Sequence, residues 1–419
     1  MAKLEIKRDF YLNKLISRMH NGLIKVVTGI RRCGKSYLLF NIFYRYLISV
    51  GVPKEKIITI DLEDLEYVAL RDKMALFEYI KSRIDDSQQW YLLIDEIQNC
   101  LDFEQVLTSF VKKDNIDIYV TGSNSKFLSS DVITEFRGRG DIVQVYPLSF
   151  SEFVSVYQGD VREAWKDYYY YGGMPHVLTI TDPKDKISYL ADHCNFVYLK
   201  DIVERHKLKG DSVMSTLLDV LSSNIGSLNN PNKLANTFKS KGINTNEVTI
   251  SQYIDYFLDS FIISKAKRFD IKGKKYIGSP FKYYFVDMGL RNARLNYSQL
   301  EETHIMENII YNELLIRGYK VDVGLVEKYQ KNESGNYVKK FLEVDFVCNT
   351  GNNRYYIQSA LSIPNLEKME QEQNSLVNID DYFKKIIVVK DDIKLYHNEK
   401  GILIINLFDF LLNQNSLDL

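Results

Sequence analysis

Cysteine is scarce in this chain. The four cysteines among 419 residues, Cys33, Cys100, Cys194 and Cys348, show no paired spacing, which argues against both a disulfide framework and a zinc site. No apolar run approaches the length needed to span a bilayer. The opening stretch MAKLEIKRDFYLNKL has basic residues but no apolar core followed by small ones, so no signal peptide is expected and the cytoplasm is the expected compartment. An excess of one charge is also missing. The formal net charge of −1 argues against a generally basic nucleic-acid binder, although a local patch can still bind phosphate on a neutral protein. There is no internal repeat and no low-complexity linker.

What is present points to folded domains. Apolar residues make up 45% and charged residues 26%, close to the average soluble chain and far from a disordered one. The length exceeds what one core usually organises, so two or three domains are expected. From Ile24 to about Pro147, short β-branched runs (LIKVVTGI, KIITIDL, WYLLIDEI, IDIYVTGS) alternate with amphipathic stretches (SYLLFNIFYRYLISVG, DFEQVLTSFVKKD). That alternation predicts an α/β fold with a parallel sheet covered on both faces. The pattern then turns helical through Lys207, broken at YGGMP, and helical again from Ser212. From Glu301 onward strand signals return in EVDFVC, RYYIQSA, KKIIVVK and GILIINL, predicting a further α/β domain.

Gly29-Ile30-Arg31-Arg32-Cys33-Gly34-Lys35-Ser36, followed by Tyr37, matches G-x-x-x-x-G-K-[ST] between a strand and a helix. Glycines let backbone N–H groups turn inward around phosphate oxygens, and the helix N-terminus adds its positive end. Lys35 is expected on the β and γ phosphates of ATP and Ser36 on Mg²⁺. A chance match in this length is about one in a hundred. The apolar strand Trp90–Ile94 ends in Asp95, expected in the Mg²⁺ shell, and Glu96, expected to polarise the attacking water. Ser123 or Asn124, at the carboxyl end of the next strand, reads either as a sensor of the γ-phosphate or as a turn residue. Arg137 and Arg139, in FRGRG, read either as arginine fingers that reach a neighbouring subunit's nucleotide or as solvated loop residues.

Taken together, GIRRCGKS, LLIDEIQ, TGSNS, FRGR, PLSFSEF, YGGMP and FVDMGLRNA resemble a bacterial and archaeal family of AAA+ ATPases with a C-terminal domain of unknown function. The resemblance covers almost the whole chain. It implies a P-loop AAA+ core over 1–150, a helical lid over 151–211, a winged-helix-like segment over 212–300 and a restriction-endonuclease-like domain over 301–419.

Within the third segment, NPNKLA starts one helix and TISQYIDYFL a second. Ile250, Tyr253, Ile254, Phe257, Leu258 and Phe261 mark the buried face of the second, and Ser251, Gln252 and Asp255 stay outside. Two strands follow, joined by the basic turn DIKGKK. This layout predicts DNA as a partner, with Lys265, Lys267, Arg268, Lys272, Lys274 and Lys275 on phosphates, or else a winged helix used only for protein contacts. In the last segment Glu307, Asp345 and Gln358 are spaced like an endonuclease-type acidic site. The position of the assisting lysine is Ala360, so cleavage is not expected. Lys339 and Lys340 are the nearest substitutes in sequence, and Glu343 and Asp345 read alternatively as the polar face of an amphipathic strand. The whole predicts an oligomeric ATPase acting on DNA. The rival expectations are a nucleotide-controlled protein scaffold and an ATP-dependent nuclease.

Overall fold

Four apolar segments become strands because their residues can be buried in the sheet, β1 (Ile24–Thr28), β2 (Ile57–Asp61), β3 (Trp90–Asp95) and β4 (Ile116–Gly122), and a short, half-polar fifth, β5 (Gly140–Gln144), pairs at the edge beside β1. Every residue of β1, β3 and β4 is buried. The computed structural model describes residues 5–85, 88–123, 136, 138–208, 212–331 and 336–419. All pairings among these five strands are parallel, in the order β2-β3-β4-β1-β5. β1 therefore lies inside the sheet, between β4 and β5. The helices Lys73–Lys81 and Phe103–Phe110 cover one face, with Leu76, Ile80, Val106, Leu107 and Phe110 packed on Val26, Ile60, Leu92 and Val120. The sheet lies in one compact unit, residues 1–147 with 259–261. Lys25 and Asp117 interrupt the apolar runs. They form a wholly buried ion pair, and Asp117 also accepts from the Tyr119 hydroxyl at 2.9 Å. Removing one partner of such a pair typically costs about 3–5 kcal/mol.

The other unit, residues 148–258 and 262–419, holds β6 (Leu228–Asn229), β7 (Ile263–Asp270), β8 (Lys275–Phe285), β9 (Lys320–Lys331), β10 (Tyr337–Thr350), β11 (Asn353–Ala360), β12 (Lys384–Val389), β13 (Tyr396–His397) and β14 (Leu403–Asn406). They form a single sheet in the order β13-β14-β12-β11-β10-β9-β7-β8-β6. Two helices, Pro231–Ser240 and Glu247–Asp259, precede the hairpin β7–β8. That hairpin is not a free appendage, since β7 pairs in parallel with β9 from Arg268↔Val323 to Asp270↔Leu325. Helix Glu302–Ile316 stacks Tyr311 on Tyr284, with ring centroids 4.0 Å apart, beside Phe346. Leu376, from helix Leu366–Val377, packs with Val347 and Tyr356 on the opposite face.

Two of the family-like motifs meet here. The chain turns at Gly172, with φ of +75°, and a Cβ on Gly289 would lie 1.9 Å from the Tyr171 carbonyl oxygen. Asp287 caps helix Met288–Arg294 by accepting from the Leu290 N–H at 3.0 Å, and also accepts from the Gly173 N–H at 2.7 Å. Burial pushes its carboxyl up to about 6 against the pull of these N–H groups. Asn292 donates to the Tyr169 and Tyr170 carbonyls, and the buried Arg291 donates to that of Ser222. YGGMP and FVDMGLRNA thus form a close backbone junction. Gly289→Ala is expected to destabilise the chain by about 1–3 kcal/mol or more, because backbone must move to admit the methyl. An unchanged midpoint in urea unfolding would refute this.

Candidate functional sites

The loop that leaves the carboxyl end of β1 is shaped by its glycines. Gly29 has φ of +148°, and a Cβ there would meet the Val145 carbonyl oxygen at 2.0 Å. Gly34, with φ of +100°, opens a helix running over 35–49 whose middle, Leu38–Phe43, is widened to π geometry. Arg32 also takes a left-handed conformation, φ +64°. Cys33 is wholly buried, and its carbonyl accepts from Arg8 at 3.1 Å. Arg8, itself buried, also donates to the Tyr146 carbonyl at 2.7 Å and so ties the loop to the chain after β5. Arg31 is at the surface, paired with Glu63 at 2.6 Å. Ile30 is buried, and Tyr37 is half-buried on the first turn of the helix.

Lys35 is 4% exposed and donates to the Gly29 and Ile30 carbonyls at 3.1 and 3.2 Å. A lysine held against its own loop carbonyls is a cation placed where phosphate oxygens are stronger acceptors. Ser36 bonds to Asp95, and Asp95 also accepts from the Thr121 hydroxyl. Burial first, then the nearby Glu96 and Asp61 charges, raise the Asp95 carboxyl to about 6, even though both hydroxyls favour its ionised form. A hydroxyl beside a desolvated carboxylate is the hard-oxygen donor set that Mg²⁺ takes, so the side chains present fit the cation and the nucleotide.

Glu96 sits in a left-handed backbone conformation, φ +47° and ψ 53°, which costs about 1–3 kcal/mol for a non-glycine residue. Its N–H is fixed by the Thr121 hydroxyl at 3.0 Å, and its carboxylate accepts from Ser123 Oγ at 3.1 Å and from the Gln98 amide. Ser123 therefore stands within the site. Gln98 Oε1 is buried and has no partner among the described residues. Asn124 and Arg137 lie outside the described residues. Arg139 is half-buried, and its carbonyl accepts from the Ile24 N–H at 2.8 Å, at the end of β1 remote from the loop. Sequence reasoning missed Arg8, Thr121 and Gln98. For Gln98, its place two residues after Glu96 was a usable signal.

Of the six basic residues assigned to phosphates, Lys272, Lys274 and Lys275 are exposed at the hairpin tip, as is Lys267 on β7. Lys265 and Arg268 are half-buried, and the Lys265 ammonium lies 5.0 Å from the centroid of the Phe281 ring.

The third constellation departs from expectation. Glu307 is buried and accepts from Lys282 Nζ at 3.0 Å and the Tyr284 hydroxyl at 2.7 Å. Lys282 also pairs with Glu343 at 2.7 Å. Asp345 accepts from the Ser359 N–H at 2.8 Å, and burial, then the Glu307 charge, push its carboxyl up to about 8 against the pull of Lys282. Burial works against the Lys282 charge, but Glu307, Asp345 and Glu343 together outweigh it and hold the ammonium above its usual range. Gln358 instead accepts from Ser375 at 3.4 Å. Neither Lys339, paired with Glu327, nor the exposed Lys340 stands with the acids. The lysine of the cluster is Lys282, from β8, far from the acids in sequence. Among the described residues, no group of three His, Cys, Asp or Glu side chains is arranged to hold a metal ion.

With the geometry in hand, residues 21–154 match an AAA domain model, and 162–301 match a domain of unknown function, DUF8612. An "uncharacterized protein" of Haemophilus influenzae is 34% identical over 421 residues, covering 98% of this chain and 100% of that protein. The chain belongs to the same family. Another family-like relative, the uncharacterized protein MJ1544 of Methanocaldococcus jannaschii, is 28% identical over 88% of this chain and 82% of its own. The first unit is thus an AAA+ P-loop core of the nucleotide-binding kind. Among solved structures, the Aeropyrum pernix ORC1 protein in complex with DNA aligns with a TM-score of 0.31 at 12% identity, covering 70% of this chain and 93% of that one. Cdc6p from Pyrobaculum aerophilum aligns at 0.29 and 10%, covering 74% and 96%. Both likenesses are too slight to bear on function. Among the described residues, no helix is long and apolar enough to cross a membrane.

Proposed function

We propose that this chain binds ATP with Mg²⁺, hydrolyses it, and uses the cycle to act on or remodel DNA as an oligomer. The observation that carries the ATPase half is the convergence of Lys35, Ser36, Asp95, Glu96 and Ser123 at the carboxyl ends of β1, β3 and β4. Lys35 neutralises phosphate charge, and Gly29 to Gly34 present backbone N–H groups to it. Ser36 and Asp95 hold the cation, which when bound supplies Lewis-acid charge to the phosphate oxygens. Glu96, steadied by Ser123 and Gln98, orients and polarises the attacking water. One of Arg137 and Arg139 serves a neighbouring subunit's nucleotide, and the position of Arg139 away from its own loop favours action between copies. Asn124 is assigned, with Ser123, to sensing the γ-phosphate.

The DNA half is supported by the exposed lysines at the tip of β7–β8, in a winged-helix reading of residues 212–300 with a helical lid over 151–211. The α/β domain over 301–419 is read as a degenerate endonuclease-like fold, with Lys282 seated among its acids. A protein-scaffold reading has one observation in its favour: Glu247, Gln252 and Asp255, exposed on the second helix, bring no positive charge to a groove. The test is ATP turnover with and without duplex or branched DNA, together with the variant Lys272→Ala, Lys274→Ala, Lys275→Ala. Turnover is expected to rise with DNA. The triple variant is expected to bind DNA more weakly, with a salt slope shallower by about one unit per lost contact and ATP binding unchanged. Turnover indifferent to DNA, with an unchanged slope, would give the scaffold reading first place.

A further inference from the structure

The basic hairpin tip has a neighbour that the winged-helix reading leaves out. β9 and β10 run on together past the body of the sheet, paired Tyr337↔Lys331, Lys339↔Tyr329, Phe341↔Glu327 and Glu343↔Leu325. Directly paired residues share a face and successive residues alternate. One face of this extension therefore carries Tyr329, Tyr337 and Phe341 interleaved with Lys331 and Lys339, while Leu342 and Val344 point to the other. The three rings are 57%, 70% and 53% exposed, a density of bare aromatics that a soluble surface does not ordinarily keep. Lys331 Nζ lies 5.5 Å from the Tyr337 centroid and Lys339 Nζ lies 5.0 Å from that of Phe341. Among the described residues this face carries Glu343, paired with Lys282, and, beside the rings, Glu327, paired with Lys339. Glu327 is held below its usual range by Lys339 and the Tyr329 hydroxyl, with Lys272 of the hairpin tip adding to the pull. Asp270, at the same tip, acts in turn on Lys339. The pairing of β7 with β9 joins the two strands in one sheet, and Lys272 of the tip, where Lys274 and Lys275 are also exposed, is near enough to act on Glu327.

We propose that this face binds an unpaired stretch of DNA, its bases stacked on Tyr329, Tyr337 and Phe341 and its phosphates on Lys331, Lys339 and the tip lysines. Tyr337 and Phe341 stand four residues apart on β10, about 13 Å, with Tyr329 of β9 diagonal to both at about 7–8 Å, so the rings meet successive groups of an extended strand and not the closed stack of a duplex. Aromatic platforms edged by lysine bind single strands through stacking, which every base permits, while duplexes bury their base faces. The proposal rests on the DNA reading above and narrows it: the tip lysines serve both forms of DNA, and the rings serve only the single strand.

Labelled oligo(dT) and a duplex of the same length are titrated, by fluorescence anisotropy, into the full-length protein. The variants are Tyr329→Ala, Tyr337→Ala, Phe341→Ala together, and the tip triple. The ring variant is expected to lose oligo(dT) affinity by on the order of tenfold per stacked base, with duplex binding and salt slope retained, and Tyr329→Phe with Tyr337→Phe should bind as the parent does. The tip variant should weaken both ligands. In a separate variant, Tyr337→Trp, the added indole fluorescence should be quenched by oligo(dT). Undiminished oligo(dT) binding by the ring variant, or no quenching at Tyr337→Trp, overturns the proposal. So does a ring variant altered only in its oligomeric state, which would assign the rings to subunit contacts. If duplex binds and stimulates turnover but oligo(dT) does not bind, the single-strand inference fails and the DNA reading stands; if neither binds, both fail.

Discussion

Replacing Lys35 by Ala is expected to abolish tight nucleotide binding, whereas Glu96→Gln is expected to bind ATP as the parent does and to lose turnover by about 100-fold or more. The two side chains stand in the same crevice but do different work. Lys35 is buried with its ammonium on the Gly29 and Ile30 carbonyls, so on the proposed reading its loss removes a charge directed at the phosphates and unsettles the loop. A charge-assisted hydrogen bond of this kind is worth about 1.5–3 kcal/mol, or ten- to a hundredfold in affinity. Glu96 lies beyond the phosphate cradle, held by the Thr121 hydroxyl, Ser123 and Gln98. A glutamine there keeps the shape and removes the charge that polarises water. Equilibrium binding and steady-state hydrolysis, measured separately, decide the matter. Parental turnover in Glu96→Gln would remove that residue from the mechanism.

The second large effect is expected at Lys282. Lys282→Met leaves Glu307, Glu343 and Asp345 without their shared cation, and breaking a buried charge cluster in this way costs about 3–5 kcal/mol. The loss should depend on pH with a definite sign. The folded-state pKa of Asp345, about 8, lies above its unfolded value, so the stability tied to its protonated form is fully present below about pH 4 and is lost as pH rises through 8. The lysine matters most where the acids are ionised, so the variant's deficit should widen between about pH 6 and 9 in urea unfolding. A deficit constant over that range would mean that Lys282 acts by packing alone. The parent should not cut linear, supercoiled or branched DNA with Mg²⁺ or Mn²⁺. Metal-dependent cleavage abolished by Asp345→Asn would falsify the degenerate reading.

These outcomes separate what local sequence carries from what only packing reveals. The phosphate loop was legible because G-x-x-x-x-G-K-S prescribes its own backbone, and the strands around it because β-branched runs bury both faces. β5 was not drawn, since GDIVQ is short and half polar. Lys25 and Asp117 passed unremarked because residues from two strands form their pair. The same limit hid Lys282, which comes from β8 to acids on a helix and on β10. YGGMP could be read as a helix break, but not as the seat of Gly289, because that contact joins segments more than a hundred residues apart in sequence.

The parallel pairing of β7 with β9 has a bearing on how the chain can be divided. A fragment ending near residue 300 would keep the hairpin and lose its partner strand. It would then present the unpaired N–H and C=O groups of β7 to solvent along an edge flanked by Phe269 and Ile271, both buried in the whole chain. Such an edge recruits strands from other molecules. A truncation at that boundary is therefore prone to form aggregates or exchanged dimers, and a smaller piece for solution work is better cut where no strand loses its neighbour.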